Sequence, residues 1–414
     1  MGPIILFDKS LLQALSVDES VWFDHFFLTN ICPIFFAETL ADLEKPPRPG
    51  RTSQGEVRLL ATRTPELSSY PNVFHVTMCL AELYGRSIPM DGRIVLSGGK
   101  AVRTSKRTGV VFEVSPEAEA LARWSQGQFW EVERLFARSW RTAIRFMNLD
   151  RADEVLEEIG VRRRRYRSLE EARKVAEAAV NDVDHRVDKL RLVIQRVVLD
   201  EGSETQILAK WGDAGHAPLA ELLPYTAYVL TVDVFFYLSV AARLLPVEKV
   251  TNRIDLAYLY YLPFCMVFTS CDKVHRRCAP LFLRRDQQFV WGGELKQALE
   301  RVDFHYSTLS DKEQEKGLFA IAPRPPLECE TIISQLWDRF CPGWRERKEL
   351  RRTTDEATSS ITVEEVKHFM EAEPLAPAAV DFDPSKPEMM GIKRRVRKRK
   401  GRWWQLPKDL KNDS

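Results

Sequence analysis

The chain has 414 residues, of which 44% are hydrophobic and 29% charged, and its formal net charge is +2 at pH 7. That balance supplies a packed core and excludes a disordered polyelectrolyte, and the length leaves room for more than one domain. Seven cysteines without a C-x-x-C pair argue against a zinc site or a disulfide framework and for reduced thiols in a cytoplasmic protein.

The opening "MGPIILFDKS" has no basic n-region, and its apolar run is too short for a signal peptide. "PIILFD" (3–8) predicts a buried strand carrying Asp8 at its carboxyl end. Helical spacing covers 10–30, split near Ser16. "ICPIFF" (31–36) predicts a second strand, and "AETLADLEK" (37–45) a helix stopped by "PPRPG". Glu38 begins that helix, and Asp42, four residues on, shares its face and points toward solvent or supports the site from behind.

Residues 56–85 look helical. A small β-element is expected over 93–113, with the basic turn "RTSKRTG" (103–109) inside it. From 115 to 212 the chain is mostly helical and highly charged; it includes "RRRRYR" (162–167) and an amphipathic stretch over 168–199. The apolar helix over 218–247 contains a run (225–245) near the length of a membrane span, but Asp233 at its middle makes it a buried core helix.

"NRIDLAYLYYLP" (252–263) predicts a helix with Asn252 as N-cap and Asp255 in its first turn. "CMVFTS" (265–270) predicts a strand and Asp272 opens the next helix; "QQFVWGG" (287–293) and "ELKQALERV" (294–302) repeat the step. Strands alternating with helices at both ends of the chain imply an α/β fold with a mostly parallel sheet. Residues 352–390 have linker composition, with one short helix at 362–371, and "IKRRVRKRKGRWW" (392–404) is a dense basic run. There are no internal repeats.

Asp8, Glu38, Asp255 and Asp272 thus stand at element ends, and ligand sites of open parallel sheets lie at the carboxyl ends of the strands. Taken singly, each acid could serve only its helix N-terminus. Taken together they are costly: two unit charges 4 Å apart repel by about 4 kcal/mol at an effective dielectric near 20. A hard cation such as Mg²⁺ or Mn²⁺ removes that cost and prefers oxygen ligands.

The segments "ILFDKS", "PIFFAETLADL", "RIDLAYLYYLPFCMVFTSCDK" and "QQFVW" resemble the PIN-domain family of metal-dependent nucleases. The resemblance implies a PIN-like parallel sheet flanked by helices, built from 1–45 and 250–305, with a large, mainly helical insertion over 46–249. Residues 306–351 would be a C-terminal extension, and 352–414 a linker and basic tail. It also implies Asp8, Glu38, Asp255 and Asp272 as an acidic site for Mg²⁺ or Mn²⁺, with Ser270 fixing a carboxylate or water. RNA, or single-stranded DNA, would be the substrate, and a regulatory protein a further partner. Typical members are compact, and the 46–249 insertion is a departure from them.

Nucleic-acid contacts are expected from Lys106, Arg107, Arg163, Arg164, Arg394, Arg395, Arg397 and Lys398, with Trp403 and Trp404 stacking on bases. A solvated or membrane-touching basic face is the competing reading. His25, His185 and His275 lack a Ser or Cys partner pattern, and "LSGGK" (96–100) lacks P-loop spacing. The alternative function is an inactive PIN-like scaffold that binds nucleic acid or protein.

Overall fold

The computed structural model describes residues 2–47, 49–146, 154, 156–157, 167–182, 201–213, 215, 217–246, 249, 251–346, 356–384 and 386–410. Its centre is a five-stranded, all-parallel sheet flanked by helices, in the order β3-β2-β1-β6-β7. β1 (Ile4–Phe7) runs between β2 (Leu28–Ile31) and β6 (Val267–Ser270). Ile5, Leu6 and Phe7 are fully buried, as expected of a central parallel strand covered on both faces.

α1 (Lys9–Ala14) and α2 (Val17–Phe26) join β1 to β2, and Ser16 and Glu19 close a capping box that separates the two helices. The second strand lies earlier than the sequence predicts. β2 ends at Ile31, and Pro33 occupies the first turn of α3 (Pro33–Ala41), where its fixed φ favours a helix start. The apolar run "ICPIFF" is therefore divided between a strand and a helix, with Phe35 packing edge-on to Phe7 at 5.4 Å. Glu38 consequently lies in the second turn of α3 rather than at its start.

The expected helical stretch 56–85 is interrupted. α4 (Ser53–Arg63) and α5 (His75–Leu83) flank β3 (Ser69–Pro71), the edge strand beside β2. Asp24 of α2 creates this strand: its carboxylate accepts the backbone N–H groups of Glu66, Leu67 and Ser68 at 2.6–2.8 Å. Pro71 is tolerated because an edge position needs no donor on its outer side.

The stretch expected as an insertion, 46–249, is not separate from the sheet, since it supplies β3; beyond β3 it holds β4 (Lys100–Arg103), β5 (Thr108–Phe112), α6 (Pro116–Ser125), α7 (Glu131–Phe146), α8 (Leu169–Asn181) and α9 (Glu201–Asp213). "GRIVLSGG" is not a strand; β5 instead pairs with β4 and, in parallel, with β8 (Met389–Ile392) from the C-terminal region. α10 (Pro224–Ala241) is long and apolar enough to cross a membrane, but 72% of that stretch is buried inside the protein. Its Asp233 meets Arg253 at 2.7 Å and accepts from the Tyr260 hydroxyl.

α11 (Asn252–Ala257) is followed by a 3₁₀ segment, Tyr258–Phe264, and then by β6. The N-cap is Thr251, without a side-chain bond, and Asn252, expected as the cap, is the first helical residue. α12 (Lys273–Cys278), β7 (Gln288–Trp291), α13 (Gly292–Ser307) and α14 (Ile332–Phe340) complete this half.

The C-terminal region corrects the linker-and-tail reading. α15 (Glu356–Glu371) and β8 precede a basic run that docks on the body. β9 (Arg399–Lys400) and β10 (Trp403–Trp404) form an antiparallel pair. Lys400 is buried and donates to the Thr64 carbonyl at 2.8 Å. Trp403 is fully buried, with its ring 4.8 Å from that of Trp22 and its indole N–H donating to Asp303 at 2.7 Å.

Candidate active site

The register of β1 against β6 places Phe7 beside Thr269, so Asp8 and Ser270 leave the sheet together at its carboxyl edge. Asp8 caps α1: Oδ1 accepts the Leu11 N–H at 3.2 Å and the Ser10 hydroxyl at 2.8 Å, and Oδ2 lies 3.4 Å from His275 Nδ1. Ser10 Oγ also accepts the Cys271 N–H at 2.9 Å, tying the β1 exit to the β6 exit.

His275 is fully buried. Its Nε2 lies 2.6 Å from the Asp255 carbonyl and its Nδ1 2.8 Å from Ser270 Oγ. Burial opposes its charge, but the hydrogen bond to Asp8 and the charges of Asp8 and Asp255 outweigh burial and push its pKa up to about 9. The imidazolium thus has an N–H on each side: Nε2–H donates to the Asp255 carbonyl, and Nδ1–H faces Ser270 and Asp8. Burial likewise works against the Asp8 carboxylate, yet His275, Ser10 and the Leu11 N–H hold it below the usual carboxylate range.

Ser270 is fully buried and accepts the Asp272 N–H at 2.8 Å. It organises the turn and the histidine. Asp272 caps α12, where its Oδ1 accepts the Val274 N–H at 2.6 Å.

Glu38 is held on two sides. Its Oε1 lies 2.8 Å from Lys9 Nζ, and its Oε2 accepts the Tyr258 hydroxyl at 2.8 Å. Lys9 is buried and also meets Asp42 at 3.1 Å. Burial would lower the Lys9 pKa, but Glu38 and Asp42 raise it, so the ammonium is retained. Asp42 does not face solvent: it is 4% exposed and takes a second cation, Arg141 of α7, at 3.0 Å. An arginine 99 residues away in the chain therefore braces Asp42.

Asp255 sits half-buried in the first turn of α11. Burial, then the charges of Glu38 and Asp272, push its carboxyl up to about 7, with His275 and Lys249 offsetting part of the rise. The described ion pairs of the cluster belong to Asp8, Glu38 and Asp42, and none to Asp255 or Asp272.

All four predicted acids thus arrive at one sheet edge, in two states. Asp8 and Glu38 are paired to internal cations. Asp255 and Asp272 are not. The donor set is all carboxylate oxygen, the chemistry a hard divalent cation takes. Among the described residues no group of three or more His, Cys, Asp or Glu is already arranged to hold a metal ion. Lys9, Ser10, Tyr258 and Arg141 escape sequence reasoning. Lys9 and Ser10 carry a local signal, a cation and a hydroxyl directly after a strand-end acid. Tyr258 and Arg141 carry none, since their partners lie 220 and 99 residues away.

The expected nucleic-acid residues fare unevenly. Arg397 pairs with Glu66, and Arg394 donates to the Ser69 carbonyl with its guanidinium 4.2 Å over the Tyr70 ring. Lys106 pairs with Glu365 at the exposed β4–β5 turn, and Arg107 caps that turn through its N–H to Thr104 Oγ at 3.1 Å. Trp403 cannot stack on a base because the core encloses it, and Trp404 is half-buried near Arg399 and Lys408. Arg395 is exposed and Lys398 partly so. Arg163, Arg164 and His185 lie outside the described residues.

No family model, curated protein or solved structure matches this chain.

Proposed function

We propose that the chain is a PIN-like, metal-dependent nuclease that hydrolyses phosphodiester bonds in RNA. The observation that carries this reading is the gathering of Asp8, Glu38, Asp255 and Asp272 at the carboxyl edge of the sheet, with Asp8 and Glu38 in ion pairs and none described for Asp255 or Asp272; burial beside Glu38 and Asp272 raises the Asp255 carboxyl to about 7. Glu38, Asp255 and Asp272 would hold Mg²⁺ or Mn²⁺, which supplies charge neutralisation and water activation when bound. Without a cation the Asp255 carboxyl is held up to about 7 by burial and by Glu38 and Asp272, and a bound cation would relieve that cost and keep it ionised. The Asp8–His275 pair fixes the turn that carries Asp272, because His275 contacts Ser270, which accepts the Asp272 N–H. Lys9 holds Glu38 in place and keeps a positive charge beside the cluster.

Cleavage of single-stranded RNA with Mn²⁺ is the test. Asp272→Asn should lower the rate by at least about 100-fold, the scale of losing a catalytic group, with an unchanged circular dichroism spectrum. The reading fails if the intact chain cleaves neither RNA nor single-stranded DNA and binds no Mn²⁺ through its carboxylates.

A second reading has its own observation. Lys9 and His275 already neutralise Glu38 and Asp8, as internal cations would in an inactive PIN-like scaffold. RNA binding in EDTA with no cleavage under any divalent ion would favour it.

A further inference from the structure

A cleft of about 600 Å³ opens two strands away from Asp8, at the carboxyl ends of β2 and β3. That is within the size range of small-molecule sites. Ile31 and Asn72 lie at its base, where β2 and β3 end. Phe36 of α3 lines it; Glu38, two residues on, projects to the opposite side of that helix, so α3 stands between the cleft and the acids. α6, the docked segment Ile392–Arg397, the end of α4 with the loop after it, and the stretches 96–98 and 112–115 form the remaining walls.

Asn72 is 5% exposed; its amide N–H₂ donates to Asn30 at 3.3 Å, while its Oδ1 has no partner. A buried acceptor without a donor is rare in a folded protein, and this one lies beneath the surface of the cleft. Three of the cations lining the cleft are engaged by neighbours, Arg397 by Glu66, Lys393 by Glu113, and Arg394 by the Ser69 carbonyl and the Tyr70 ring. Arg395 is exposed, with no ion pair among the described residues. Tyr70 and Phe112 give the cleft aromatic surface, and Glu117 adds a carboxylate at the first turn of α6.

We infer that this cleft is a ribonucleotide site, distinct from the acid cluster. Each feature answers one part of such a ligand. Phe112 offers apolar area to a base, beside the Arg394 guanidinium that lies over Tyr70. Glu117 accepts from ribose hydroxyls, as acidic residues do in dinucleotide-binding folds. Arg395 takes the phosphate, for which the planar guanidinium is suited. The inference needs no catalysis and stands or falls apart from the nuclease reading.

Calorimetric titration of the full chain in EDTA, with AMP, GMP, CMP and UMP as probes, tests it. At least one should bind with a dissociation constant below roughly 100 μM, an ordinary small-ligand affinity. Arg395→Glu, an exposed change that leaves the core intact, should weaken it at least tenfold. Ala122→Trp, which fills the cleft from α6, should abolish it, with thermal melting confirming the fold. Asp272→Asn should leave it unchanged. The inference is overturned if none of the four binds, if inorganic phosphate binds as well as the nucleotide, if Arg395→Glu has no effect, or if Asp272→Asn removes binding.

Discussion

Asp255 and His275 titrate in opposite senses relative to their chemistry but in the same direction for stability. His275 has a folded-state pKa of about 9 against 6.5. Its contribution is complete below pH 6.5 and is lost as pH rises through 9. Asp255 has a folded-state pKa of about 7 against 3.8. The folded chain favours its protonated form, so that stability too is present below 3.8 and is lost as pH rises through 7. Thermal melting should therefore show a decline from about pH 5 to 9, with the alkaline part missing in His275→Gln. Asp255→Asn should raise stability at pH 8 by roughly 1–2 kcal/mol, less than the full shift implies because the group is partly solvated. The same variant should lose any Mn²⁺-dependent rise in melting temperature. A wild-type chain whose melting temperature is flat across pH 5–9 would contradict both assignments. At this scale the sequence is partly legible. Asp8 and Asp272 are readable because each stands within two residues of the end of a buried strand. Asp42 is not, because the arginine that keeps it buried is on a helix of the insertion. His275 looks like an ordinary lone histidine until the fold brings Asp8 beside it.

Among the elements, strands with strong apolar runs are the readable ones, and β1, β6 and β7 fall where their hydrophobic residues predict. β3 is hidden because its three residues, Ser69–Pro71, have no strand signature of their own and depend on Asp24 holding the preceding backbone. The C-terminal run is misread for a related reason. Its charge density suggests solvation, yet Arg397, Lys400 and Trp403 all find specific partners on the body. Burial of Trp403 makes the run part of the core. Trp403→Ala should cost about 3–5 kcal/mol, the usual range for a large aromatic truncated in a packed interior, whereas Trp404→Ala should cost less than about 1 kcal/mol. Equal losses in denaturant unfolding would show that the basic run is not anchored through Trp403. β8 has its own requirement: a Cβ on Gly109 would stand 2.0 Å from the Met389 carbonyl, so only glycine allows that strand to approach β5.

The whole molecule is organised around a sheet whose middle is closed late. β1 pairs with β2 on one side and with β6 on the other, and Ser10 meets Ser270, 260 residues on, at 3.4 Å. Such long-range pairing carries a loop-closure cost and slows folding. A fragment ending at residue 245 should show no cooperative unfolding transition, because β1 loses one neighbour and Asp8 loses its histidine; a sharp melting transition in that fragment would show that the insertion and first strands form a self-sufficient unit. The α/β class is visible in the sequence because it rests on local alternation. The sheet order is not, since it depends on which strand returns after the insertion.

On the ribosome, this chain order becomes an order in time. Asp8 and Glu38 leave the exit tunnel early, and Lys9 travels with them. Asp255, Asp272 and His275 follow only after the insertion has been made, and the central pairing of β1 with β6 cannot begin before then. If the chain cleaves RNA as proposed, the interval has a use. The nascent polypeptide is surrounded by messenger and ribosomal RNA, and its carboxylates cannot gather while the second half of the sheet is unmade. The length of chain between Glu38 and Asp255 thus sets the delay between the appearance of the first acids and the gathering of all four.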